Sequence, residues 1–158
     1  MEEIKLTPIA YVSNDRDHLD DDDWGGVVSE IRLRDDLSSE LLMGLDTFSH
    51  IEIIFVFHRI PADKKVPDSR HPRNNQSWPK LGLLAQRSAY HPNPIGLCTA
   101  KILKVVDRVL TVQGLDAIDG SPVLDIKPVF REFIPGDTKQ PQWVSELLKN
   151  YWKKSKNS

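Results

Sequence analysis

What the chain lacks bounds it first. It has one cysteine, Cys98, so no disulfide closes within a chain and no thiolate-rich metal site forms from one copy. It lacks a basic surplus: 21 Lys and Arg against 23 Asp and Glu leave a formal net charge of −2, with no long-range attraction for a polyanion. No apolar run approaches membrane-spanning length. The start, Met-Glu-Glu-Ile-Lys, carries no signal-peptide core. A cytoplasmic location and no membrane partner are expected. No Gly-x-Gly-x-x-Gly follows a strand pattern and there is no Walker loop, which argues against a Rossmann or P-loop fold.

What is present is a chain of 158 residues, 39% hydrophobic and 28% charged, without internal repeats or a linker, which fits one domain over 1–158 with a real core. Alternation predicts an opening strand over 4–12, with Pro8 tolerated at an edge or bulge, and a half-buried strand over 27–33. Residues 14–23 are polar and end in four aspartates. Such a run reads as a solvated loop, the alternative being a metal loop, for which the EF-hand spacing is missing. Residues 38–45, Ser-Ser-Glu-Leu-Leu-Met-Gly-Leu, predict a short helix with a serine N-cap before the apolar run. The apolar run 51–57 predicts a central strand, covered on both faces or lying in a dimer interface.

Residues 59–80 hold Pro61, Pro67, Pro72 and Pro79 among polar side chains, and read as a lid or substrate-facing loop or as a plain solvated one. Strands over 99–106 and 109–115 meet at Asp107-Arg108 in a hairpin, Asp119-Gly120 marks a turn, and 123–128 is a further strand. A turn is expected at 135–137. Trp143, Leu147, Leu148 and Tyr151 recur at helical spacing and predict a docked helix over 142–152, followed by a polar, frayed tail over 153–158. The core is placed at about 4–130. Many short strands with brief helices predict a mainly β, barrel-like fold.

The histidines do not form a metal site in this reading. His50 and His58 are roughly 26 Å apart along a strand, and His18, His71 and His91 fall in separate loops. Cys98 reads as a small buried residue.

The stretch 83–97, Leu-Leu-Ala-Gln-Arg-Ser-Ala-Tyr-His-Pro-Asn-Pro-Ile-Gly-Leu, is the most informative. Pro92 and Pro94 fix their own φ and push His91 and Asn93 towards extended backbone, so the segment is stiff before tertiary contacts form. Gly96 either takes positive φ or lets another group approach the backbone. The polar groups of Arg87, Ser88, Tyr90, His91 and Asn93, with the N–H groups of Asn93, Ile95 and Gly96, suit an anionic or nucleotide-like ligand. A proline-stiffened connection between two strands is the plainer alternative.

Arg-Ser-x-x-x-Pro-Asn-Pro-Ile-Gly-Leu in that stretch resembles the signature of the TsaA-like (TrmO) family, and the blocks 45–58 and 115–128 match the same family in the same order. The resemblance implies a β-barrel that pairs into a homodimer and binds S-adenosylmethionine near the subunit interface. It also implies methyl transfer to N6 of a modified adenosine beside the tRNA anticodon. Carried residue by residue, it implies cofactor contacts at His58, Arg59, Arg87, Ser88, Asn93, Gly96, Leu97, Ile118, Asp119 and Gly120. Substrate contacts are implied at Arg70, Arg73, Tyr90, His91 and Asp116, with no metal. Arg87 is matched to a carboxylate or phosphate as a permanently charged fork, and Asn93 to a base edge. Family members commonly have arginine where this chain has His91, and an aromatic and a threonine within the stretch matching 82–86. Longer bacterial members continue into a C-terminal domain that helps hold tRNA. Methylation of a small molecule, or binding of cofactor or RNA without turnover, are the alternative functions.

Overall fold

The period-two alternation read from the sequence closes, in a computed structural model describing residues 1–155, into a barrel of six antiparallel strands. In chain order the elements are β1 (Ala10–Ser13), β2 (Val28–Leu33), β3 (His50–Val56), β4 (Ser69–Arg70), β5 (Leu81–Gly82), β6 (Ile95–Val106), β7 (Val109–Gln113), β8 (Pro122–Pro128) and α1 (Gln142–Leu147). The barrel runs β1-β2-β7-β6-β3-β8, while β4 and β5 pair as a separate ribbon. Closure leaves no bare edge.

Inward positions fill the interior: Ala10 and Val12, Ile31 and Leu33, Ile51, Ile53 and Phe55, Cys98 and Ala100, Leu110 and Val112, and Val123. Two register shifts re-aim side chains. On β6, a shift between Ile102 and Lys104 lets both Ile102 and Val105 pack against the core although their parity differs. Opposite Ile54 and Phe55, the shift on β8 does the same for Val123 and Ile126.

Several expectations need correction. The opening strand begins at Ala10, and Ile4 and Leu6 are exposed. Pro8 has no N–H for a ladder, though its carbonyl accepts from Arg34 Nη1 at 2.9 Å, and backbone pairing starts at Ile9, which donates to the Val123 carbonyl and accepts from the Arg34 N–H. The expected helix over 38–45 is a 3₁₀ turn at Ser39–Leu42, with the Ser38 side chain accepting from the Glu40 N–H as its cap. Gly44 at φ 89° then turns the chain into a second 3₁₀ turn at Leu45–Thr47. The C-terminal helix stops at Leu147, and residues 148–152 continue as turns. Of the expected tail, residues 156–158 lie outside the described residues. The run 51–57 is covered on its inner face only, because Glu52 and Ile54 point outward. The hairpin at 107–108 forms as expected, with Asp107 at φ 50°.

Candidate functional site

The stiff stretch reaches the barrel where β6 begins. Gly96 lies opposite Phe55 in the β3–β6 ladder, and a Cβ on it would sit 2.3 Å from the Phe55 ring. Gly96 is therefore needed for close approach, and the approaching group is a core phenylalanine rather than a ligand. Nor are the loop's donors all free, because the Ile95 N–H donates to the Asn93 carbonyl at 2.8 Å. Asn93 itself is exposed.

Arg87, just before, donates through Nη2 to the Leu97 carbonyl at 2.6 Å. This ties the two ends of the Pro-Asn-Pro turn and leaves the rest of the guanidinium's donors over. Ser88 Oγ, next along the chain, is buried without a hydrogen-bond partner among the described residues. Leu97 is 44% exposed. Cys98 follows, and its thiol donates to the Gly114 carbonyl at 3.3 Å. Burial, then the neighbouring Asp116 carboxylate, push that thiol above its ordinary range, with Arg87 opposing.

Asp116 stands in the loop between β7 and β8. Its Oδ2 accepts from the Tyr151 hydroxyl at 2.6 Å, while its Oδ1 is buried with no partner. Burial and the same carboxylate raise the Tyr151 phenol, so it stays a donor at neutral pH. The loop is held from the other side by Asn14. Its side chain donates to Ser29 Oγ at 2.8 Å and to the Ala117 carbonyl at 2.9 Å, and its N–H donates to Asp119 Oδ1. Asp119 is thus engaged within the protein. Ile118 is buried with Trp24 and Val27, and its carbonyl accepts from the Ser121 N–H at 3.1 Å. Gly120 at φ 78° makes the turn, beside His58, whose Nε2 lies 3.6 Å from the position of a Gly120 Cβ. Arg59 is exposed and donates to the Asp17 carbonyl.

The basic cluster of the long loop divides. Arg73 is bound by the aspartate run, through Nη2 to Asp22 Oδ1 at 3.0 Å and to the Asp21 carbonyl at 3.1 Å. Its charge is locally spent, and the run is a docked loop rather than a freely solvated one. Arg70 stays over the Tyr90 ring at 5.1 Å, its buried Nε unpartnered, and Lys64 covers the same ring at 3.9 Å. His91 Nε2 lies 2.9 Å from the Gln86 carbonyl and so carries the proton there. Gln86 in turn donates to the carbonyls of Arg70 and Leu81. Lys64, Arg70, Tyr90 and His91 therefore share one scaffold built on Gln86, while Arg87 and Asp116 belong to another around Cys98, with Ser88 next to Arg87 in the chain.

Sequence reading missed Tyr151, Asn14, Gln86 and Lys64. Tyr151 was visible only as part of an apolar stripe, since nothing local ties its hydroxyl to a residue 35 positions away. Among the described residues, no three His, Cys, Asp or Glu side chains converge as a metal ion would require, and no helix is long and apolar enough to cross a membrane. Together, one guanidinium with spare donors and two buried unpartnered oxygens suit a ligand bearing both an anionic group and N–H or O–H donors.

Residues 24–133 match the family model of the tRNA-methyltransferase O N-terminal domain. A human tRNA (adenine(37)-N6)-methyltransferase is 42% identical over 113 residues, covering 70% of this chain and 23% of the relative. A probable S-adenosyl-L-methionine-binding protein of Methanothermobacter thermautotrophicus is 40% identical over 89 residues, covering 56% and 61%. The crystal structure of TrmO from Pseudomonas aeruginosa superposes with a TM-score of 0.71 at 25% identity, covering 87% of this chain and 61% of that one. The chain spans less than two thirds of these relatives' own lengths. With the signature motif, the closed barrel and the family model in agreement, the chain belongs to the tRNA-methyltransferase O N-terminal domain family.

Proposed function

We propose that this protein is an S-adenosylmethionine-dependent methyltransferase whose acceptor is N6 of an adenosine beside the anticodon of tRNA. The observation that carries the reading is that Ser88 Oγ, next to Arg87 in the chain, and Asp116 Oδ1, of the carboxylate beside Cys98, are both buried and without a hydrogen-bond partner among the described residues. Leaving such groups unsatisfied costs about 1–3 kcal/mol each. The cofactor and an exocyclic adenine amine together offer what they lack: ammonium, hydroxyl and amine donors, with a carboxylate for the remaining donors of Arg87. The names of the relatives support the same chemistry.

The bound cofactor supplies a methyl group already activated on a sulfonium. What remains for the protein is alignment, since in-line displacement depends on geometry more than on a strong acid or base. Arg87 and the two prolines hold the loop; Asn14 and Tyr151 hold the 116–120 loop opposite. Exposed Lys64 and half-buried Arg70, both over the Tyr90 ring, form a cationic edge suited to phosphate. A homodimer belongs to the same proposal, because β3 and β6 carry an outward apolar patch, and a cytoplasmic location follows from the substrate.

Calorimetry tests the binding half. S-adenosylmethionine or S-adenosylhomocysteine is expected to bind at micromolar affinity or better, about −8 kcal/mol. Arg87→Ala is expected to weaken it by about 1.5–3 kcal/mol. No heat and no thermal shift with either compound would remove the reading.

A further inference from the structure

The segment that carries Tyr151 lies beyond the family match at 24–133, yet it is strapped across the site. Asp23, Trp24 and Gly25 donate their N–H groups to the carbonyls of Asn150, Tyr151 and Lys153 at 3.2, 2.8 and 3.2 Å. The contact is so close that a Cβ on Gly25 would sit 1.9 Å from the Trp152 carbonyl oxygen, so any other residue there would push the strap away. The Tyr151 ring packs on Trp24, Val27 and Ile118, and the Trp78 indole of the long loop donates to Glu146 Oε2 at 2.9 Å. The strap is thus fixed on both sides, and the polar atom it sends inward is the Tyr151 hydroxyl.

That hydroxyl takes one oxygen of Asp116 and leaves the other buried and unpartnered. A carboxylate with neither oxygen engaged can rotate about its terminal torsion, which is soft. With Oδ2 held at 2.6 Å, Oδ1 has one place to be. Among the described residues no N–H or O–H donates to it, and the neighbouring Cys98 thiol, a weak donor, is directed to the Gly114 carbonyl at 3.3 Å.

We propose that Tyr151 is a positioning residue, supplied to the methyl-transfer site by the C-terminal strap, which orients Asp116 so that Oδ1 accepts an N–H from the acceptor amine. This inference rests on the methyltransferase reading of the same site. In it, the strap sets the acceptor's orientation and not the cofactor's affinity.

The test is a double-mutant cycle on the full chain with Tyr151→Phe and Asp116→Asn, read by methyl-transfer kinetics on tRNA and by calorimetry with S-adenosylhomocysteine. Tyr151→Phe keeps the ring, and therefore the strap. It is expected to lower kcat about tenfold through lost orientation. The cofactor's Kd should stay within about twofold and its binding stoichiometry should be unchanged, which separates lost alignment from lost folded protein. In the Asp116→Asn background the same substitution should have no further effect, because Tyr151 acts through Asp116. Wild-type kinetics in Tyr151→Phe, or an equal loss in both backgrounds, would overturn the inference while leaving the methyltransferase reading in place. A wild-type chain that binds no cofactor and transfers no methyl would overturn both. Should Asp116→Asn not fold, Asp116→Ala gives the second background, with the same outcomes.

Discussion

Ile54 stands directly opposite Leu97 on the outside of the barrel, and Val56 opposite Ile95, in the β3–β6 ladder. Alternation should put polar side chains on that face, as Glu52 and Thr99 do one pair further along. Ile95 and Leu97 are 45% and 44% exposed. Four apolar side chains in two facing pairs, bordered by polar ones, have the form of an interface centre.

The first prediction follows. The wild-type protein is expected to sediment as a dimer of 18.0 kDa chains at micromolar concentration, and Ile95→Glu as a monomer with an unchanged circular dichroism spectrum. A wild-type monomer would show that the patch serves something else.

Gly96 sets a second expectation. Phe55 leaves no room for a Cβ, and overpacking a filled core costs about 1–3 kcal/mol. Gly96→Ala should lower the denaturant midpoint accordingly without changing the slope. Equal midpoints would mean that the ring moves aside freely.

These two relationships show what the sequence revealed and where it stopped. The strands were legible because each inner face is apolar at every second position, as in Ile51, Ile53 and Phe55. Bulges were not, because Leu103 and Leu124 look like ordinary strand residues until the partner strand is known. Gly96 announced close approach but not its neighbour. In the site, the Pro-Asn-Pro turn and Arg87 were readable as local chemistry. Arg73 looked like its neighbour Arg70; only the fold shows that Asp22 engages it, over a separation of 51 residues. Tyr151 was hidden for the same reason, as a long-range partner in a stripe that also had a packing explanation.

Cys98 gives a pH prediction. Its thiol is raised by burial and by Asp116, and the Tyr151 phenol is raised for the same reasons. A group with a raised folded pKa contributes stability that is complete below its unfolded pKa and is lost as pH rises beyond it. Stability should therefore hold to about pH 9 and then fall by about 1.4 kcal/mol per pH unit per group, first for the thiol and then for the phenol. Native protein should also resist a disulfide reagent at neutral pH and react once in guanidinium. Rapid labelling of the folded chain would show that the thiol is accessible.

Arg70 and Arg73 of the long loop should separate in tRNA binding. Arg70→Ala should reduce the salt slope by about 0.7–0.9, the contribution of one phosphate contact. Arg73→Ala, whose charge Asp21 and Asp22 already meet, should leave the slope nearly unchanged. Equal reductions would mean that Arg73 leaves the aspartates when RNA arrives.

The most direct measurement is methyl transfer itself. The protein is incubated with S-adenosylmethionine carrying a labelled methyl group and total tRNA, and the nucleosides are then separated and weighed. The account predicts label in one modified adenosine, heavier by one methyl on N6, and none when tRNA is omitted. Bound cofactor with no label in any tRNA nucleoside would contradict it.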